Sequence, residues 1–223
     1  MSFEFHVESY LSSKQLNNQS VSLVIPRLAR DRIHNVMYYK VNLHPVAMRG
    51  DTLKQLINII VRDFGTLKDQ SVNATHVLGG FEFKCILMKL VELRPTWDQL
   101  QVLLQEGESG FSNKYIVALV LTYLRIQYYY LQDESDLAKS IVGIFKMYIC
   151  DYRKMKSVAL DMDCWSPSQS VSVCIVHTDE LVDWLVTRDE VWGFPLGKCQ
   201  WCQGLDRDSS SSGESSSESD EED

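Results

Sequence analysis

Cys199 and Cys202 form the one CxxC pair in this chain, and such a pair supplies two thiolates to zinc or cycles as a dithiol. A closed zinc site takes four ligands. No second CxxC and no paired histidines follow, and the nearest other ligands, Cys174 and His177, are separated from the pair by a predicted helix. Incidental thiols near the end of a domain are the favoured reading. A small metal- or thiol-dependent enzyme using Cys199, Cys202 and His177 is the alternative. The stretch Gly193-Phe-Pro-Leu-Gly197-Lys198-Cys199 has the look of a phosphate-binding loop. It is one residue too short between its glycines, puts a cysteine where a Mg²⁺-binding hydroxyl is needed, and follows a helix rather than a strand. It reads as a turn. The five histidines fall in separate segments, and neither Cys85 nor Cys174 carries a local nucleophile signature. No catalytic residue, metal or cofactor is assigned, and an enzyme is the poorer hypothesis.

Binding features are stronger. Tyr128, Tyr129 and Tyr130 are consecutive, and on a helix they point about 100° apart, so at least one must lie near the surface. Tyrosine is enriched in interfaces. Trp184, Trp192, Phe194 and Trp201 crowd one short region, either packing it back onto the helices or offering a groove to an amphipathic partner helix. Glu180, Asp183 and Trp184 join the tyrosine run as candidate partner-binding residues. Two basic clusters, Arg27, Arg30 and Arg32, and Arg153, Lys154 and Lys156, suit solvated ends of elements or contacts with RNA or an acidic partner.

These residues need elements to hold them, and the apolar spacing is mostly helical. Leu53 to Phe64 keeps one helical face with Asp51 placed to cap it, and Phe83 to Val91 keeps another that ends before Pro95. Thr96 and Gln99 fit a capping box for a third. Tyr115 to Leu124 is apolar on every side except at Thr122, which predicts a central helix packed all round. A helix over Asp136 to Tyr152 capped by Ser135 follows, and a last one is capped by Thr178. Between them, Val158 to Asp163 and Val171 to Val176 are β-branched runs joined through Ser166-Pro167, which predicts one small β-hairpin over about 158–176. The fold class expected is mainly α, a single helical domain with that hairpin.

Composition sets the frame. At 45% apolar and 23% charged residues the chain is of ordinary globular character, and no apolar stretch approaches the ~20 residues that span a bilayer. The start, with Glu4 and no basic region ahead of an apolar one, does not read as a secretory signal. The net charge of −8 is concentrated: eight of the 30 acids and one of the 22 bases fall in residues 206–223, leaving the rest at −1. A nearly neutral body lacks the basic field that drives independent nucleic-acid binding. Residues 206–223 contain no apolar side chain, so they form a predicted disordered acidic tail after a domain of residues 1–205 with a loose N-terminal arm. Ser211, Ser215, Ser217 and Ser219 each have an acid three residues on, the pattern favoured by acidophilic kinases.

LARDRIHNVMYYK (28–40), VLGGFEFKCILMKLVELRP (77–95), NKYIVALVLTYLR (113–125), DYRKMK (151–156) and HTDELVDWL (177–185) occur in this order. Together, collinear over about residues 15–200, they resemble the pre-mRNA-splicing factor 38 family in its shorter fungal form. The resemblance implies a nuclear, non-enzymatic protein of the U4/U6.U5 tri-snRNP and precatalytic spliceosome, needed for the activation that unwinds U4 from U6. It implies a helical domain with a β-hairpin. It further implies a docking platform for a small zinc-finger splicing protein and a microfibrillar-associated-protein-like splicing factor, beside the large central scaffold protein and near snRNA. Longer relatives carry an arginine-serine tail, whereas this chain ends in serines and acids.

Overall fold

Fourteen consecutive residues, Tyr115 to Tyr128, are buried: the first ten are apolar except for Thr122, and the polar Arg125 and Gln127 are buried with them. They belong to the central helix of a computed structural model that describes residues 21–45, 50–65, 77–105, 113–131, 135–160 and 171–197. Among those residues the helices are α1 (Val21–Val24), α2 (Arg27–Asn35), α3 (Met37–Asn42), α4 (Leu53–Phe64), α5 (Phe81–Leu93), α6 (Trp97–Leu104), α7 (Lys114–Tyr128), α8 (Asp136–Tyr148) and α9 (Thr178–Thr187). Helix α7 packs against α4, α5, α6, α8 and α9. None of these helices is long and apolar enough to cross a membrane.

Local sequence explains most of the helix ends. Thr96 Oγ1 accepts the Gln99 N–H and the Gln99 side chain takes the Thr96 N–H, the box expected for α6. Ser135 caps α8 through the Ala138 N–H at 3.2 Å. Helix α4 is capped by Thr52 rather than Asp51, because Gln55, three residues after Thr52, completes a second capping box. Helix α8 stops at Tyr148, short of the expected Tyr152, since the chain turns through Ile149 and Cys150 and leaves Tyr152 exposed. Helix α9 starts at Thr178 itself. The preceding His177 holds the cap position, with its N–H donated to Glu180 Oε2 at 2.7 Å.

The hairpin is present with a different first strand. It pairs β1 (Lys154–Val158) antiparallel with β2 (Val173–His177), with Met155 opposite Val176 and Ser157 opposite Cys174. Met155 and Ser157 face the core while Lys154 and Lys156 face out, a period-two pattern inside the basic cluster. The strand is held there by Leu78, whose N–H donates to the Lys156 carbonyl at 2.8 Å and whose carbonyl accepts from Val158 at 2.9 Å. A second hairpin, β3 (Glu190–Val191) with β4 (Phe194–Pro195), turns through Trp192 and Gly193. Both have positive φ, 50° and 85°, as a type I′ turn requires. Gly193 thus serves a turn, as expected. The expected 166–167 turn, Cys199, Trp201, Cys202, the serines of 206–223 and the N-terminal arm lie outside the described residues.

Candidate functional site

Glu180, Asp183 and Trp184 stand at i, i+3 and i+4, so α9 presents them on one side. There they border an open groove of about 560 Å³ between α9, β2 and the end of α8. Ile149 and Ile175 share the apolar lining with Trp184, and Asp179 adds a third carboxylate to Glu180 and Asp183. The groove is therefore an apolar cleft beside three acids. Glu180 has its carboxyl held below the usual range, chiefly by the hydrogen bond from the His177 backbone N–H and further by the His177 ring. It is ionised at neutral pH.

Cys174 and His177 do not meet as a nucleophile pair. The Cys174 thiol donates to the Ser157 carbonyl at 3.4 Å, while His177 Nδ1 sits 3.2 Å from Glu180 Oε2. Cys85 is wholly buried, and that burial pushes its thiol well above the ordinary range. Among the described residues no group of three or more His, Cys, Asp or Glu is arranged to hold a metal ion.

The tyrosine run lies elsewhere and is divided. Tyr128 is buried, Tyr130 is half-buried with its hydroxyl donating to the Leu23 carbonyl, and Tyr129 is 57% exposed. The Tyr129 ring covers Gly197, where an added Cβ would fall 2.1 Å from the ring. Tyr130 ties α1, and Tyr129 the segment after β4, to the end of α7, and of the three Tyr129 alone offers a large outer surface.

The basic clusters are also separate. Arg27 is exposed and lies 3.6 Å from Asp31, Arg30 donates to the Ile25 carbonyl at 3.1 Å, and Arg32 is half-buried on the same helix. Arg153 clasps Asp151 through Nε and Nη2 at 2.6–3.0 Å. Burial alone would raise the Asp151 pKa, but the Arg153 hydrogen bonds outweigh it and the carboxyl is held below its usual range. Lys154 and Lys156 project from the outer face of β1.

The PRP38 family profile matches residues 14–209, most of the chain. The chain belongs to that family. It is 54% identical over 218 residues to Pre-mRNA-splicing factor 38 of Saccharomyces cerevisiae, an alignment covering 94% of this chain and 90% of the relative. Its fold is similar to a chain in the crystal structure of the Snu23-Prp38-MFAP1(217-258) complex of Chaetomium thermophilum, with a TM-score of 0.59 and 20% identity over 85% of this chain and 83% of that one.

In this PRP38-family chain, the segments that carried the resemblance hold mostly structural devices. Residues 77–95 place Gly79 under Trp192, and 113–125 end in Arg125, whose buried guanidinium binds the carbonyls of Leu185, Leu196 and Gly197. Only 177–185 contributes to the groove. Sequence reasoning named Glu180, Asp183 and Trp184 but missed Ile149, Ile175 and Asp179. The i, i+3, i+4 spacing was the available signal for the first three; the others depend on how β2 and α8 approach α9.

Proposed function

We propose that this chain is a non-enzymatic scaffold of the spliceosome, acting in the U4/U6.U5 tri-snRNP and the precatalytic spliceosome at the activation that releases U4 before the first step of splicing. The observation that carries this reading is 54% identity, over nearly the whole of both chains, to a protein named as a pre-mRNA-splicing factor. An apolar groove beside carboxylates fits a protein that works by binding. A scaffold without an energy source acts by binding one assembly state better than another, so its effect is specific to a stage.

The partners proposed are a Snu23-like zinc-finger protein and an MFAP1-like protein, as named in the complex that contains the similar fold, together with the large central scaffold protein. The location is the nucleus. Glu180, Asp183, Trp184 and the exposed Tyr129 are the proposed protein contacts, with Tyr128 and Tyr130 supporting it. Arg27, Arg30, Arg32, Lys154 and Lys156 are proposed contacts to RNA or an acidic partner, and Arg153 orders the start of β1. Residues 206–223 are a tail beyond a 1–205 domain, phosphorylated at Ser211, Ser215, Ser217 and Ser219. Tagged full-length chain should co-purify U4, U6 and U5 RNAs together; purification free of all three overturns the reading.

A further inference from the structure

Strand β1 has neighbours on both sides, whereas β2 pairs only with β1 among the described residues. Because Lys156 and Val158 exchange backbone hydrogen bonds with Leu78, the polar groups of Met155 and Ser157 must face β2. Their partners Val176 and Cys174 therefore turn inward, and the N–H and C=O of Val173 and Ile175 turn away from β1. Ala159 N–H donating to Ser172 O at 3.3 Å continues the same phase. No partner among the described residues takes these outward groups. The edge ends at His177, whose N–H is already held by Glu180.

Proteins usually guard such an edge with lysine, proline or a bulge. This one reads Val-Cys-Ile-Val, with Val173 and Ile175 at 50% and 68% exposure, and its lysines are on β1 instead. The edge runs into the groove, since Ile175 belongs to both. Asp179, also in the groove, keeps Oδ1 buried with no hydrogen-bond partner among the described residues. Glu180 and Asp183 add exposed carboxylates to the same groove.

We propose that the β2 edge and the groove are one docking site for an extended, lysine- or arginine-bearing segment of a partner protein. It adds as a strand beside Val173 and Ile175 and lays basic side chains against Asp179, Glu180 and Asp183. Backbone pairing supplies affinity and the alternate side chains supply selectivity, as in other cases of strand addition. A basic occupant follows from the three carboxylates, which also disfavour RNA and the acidic residues 206–223. The proposal rests on the scaffold reading, and it names the chemistry of one of the partners.

The test places a photo-cross-linking benzoylphenylalanine at Val173 of the tagged full-length chain, expressed as the sole copy, and irradiates the purified U4/U6.U5 particle. The expected product is a cross-link to one protein segment with lysine or arginine at alternate positions. Asp183→Lys, at an exposed site, should lower its yield at least fivefold. Ile175→Pro, which removes an outward N–H, should do the same, while Ile175→Ala changes it less than twofold. A cross-link to RNA, to a second copy or to an acidic segment overturns the proposal, as does a yield unaffected by both Asp183→Lys and Ile175→Pro. Failure of the scaffold reading is seen separately, as absence of U4, U6 and U5 RNA from the unsubstituted chain's purification.

Discussion

Arg125 on α7 reaches Leu196 through the core, with Nη1 donating to the Leu196 carbonyl at 2.6 Å. The same guanidinium binds the Leu185 carbonyl through Nε at 2.8 Å and the Gly197 carbonyl through Nη2 at 2.7 Å. Leu185 lies in the last turn of α9, where the carbonyls have no intrahelical partner. One planar side chain therefore satisfies a helix end and ties down the segment after β4. The groove depends on this tie, because it fixes α9 against α7.

Replacing Arg125 by Met should destabilise the domain by about 3–5 kcal/mol, since two buried carbonyls and a part-buried one lose a charged donor at roughly 1–3 kcal/mol each before relaxation. Urea unfolding would read this as a large drop in midpoint against a total stability of roughly 5–15 kcal/mol. Arg125→Lys should recover only part, because an ammonium cannot reproduce the planar fork. An unchanged midpoint for Arg125→Met would show that the tie contributes nothing.

Two glycines should respond to alanine with opposite signs. Gly79 has φ +70°, and a Cβ there would lie 2.2 Å from the Trp192 indole. The left-handed conformation costs about 1–2 kcal/mol for a non-glycine residue and the overlap about 1–3 more, so Gly79→Ala should lose roughly 2–5 kcal/mol. Gly143 sits in α8 with nothing within 4 Å of the added Cβ, and its alanine variant should gain about 0.5–1 kcal/mol. Thermal melts of the two variants compare them directly. Gly79→Ala melting at or above the parent would mean that the indole does not occupy this site.

Asp151 predicts an acid-sensitive strand start. Its folded pKa lies below the ordinary aspartate value of about 3.9, so the Arg153 clasp contributes full stability above that value. The contribution is lost as pH falls through the depressed folded value. Asp151→Asn should lower stability at pH 7 and flatten the dependence below about pH 4, with Asp151 partly exposed and the effect correspondingly small. Equilibrium unfolding of parent and variant between pH 3 and 7 measures this. Parallel curves over that range would remove the linkage.

The elements that formed as expected are those with local causes. The Thr96–Gln99 box, the Ser135 cap and the apolar run of α7 each follow from residues within a few positions of one another. The first strand was displaced because its register depends on Leu78, nearly eighty residues before Ser157, a partner that β-branched runs do not announce. Arg125 stood at the end of an apolar stretch with nothing nearby to indicate that it binds residues sixty to seventy-two positions later. The groove was half legible. Helical spacing put Glu180, Asp183 and Trp184 together, whereas Ile149 and Ile175 arrive from other elements. Glu180 also showed a second duty, as the acceptor that caps α9. Reversing its charge would disturb the helix as well as the groove, so Asp183 is the cleaner probe.

The central claim is that this chain promotes spliceosome activation by binding alone. It is tested most directly by depleting the chain from splicing extract and resolving the stalled complexes on native gels probed for U4. The account predicts that U4, U5 and U6 particles still form and dock, that no first-step cleavage products appear, and that U4 stays bound until purified parent chain is returned. The Asp183→Lys chain, folded to the same thermal midpoint, should restore cleavage at least fivefold less well. Normal intron cleavage with timely U4 release in the depleted extract would contradict it.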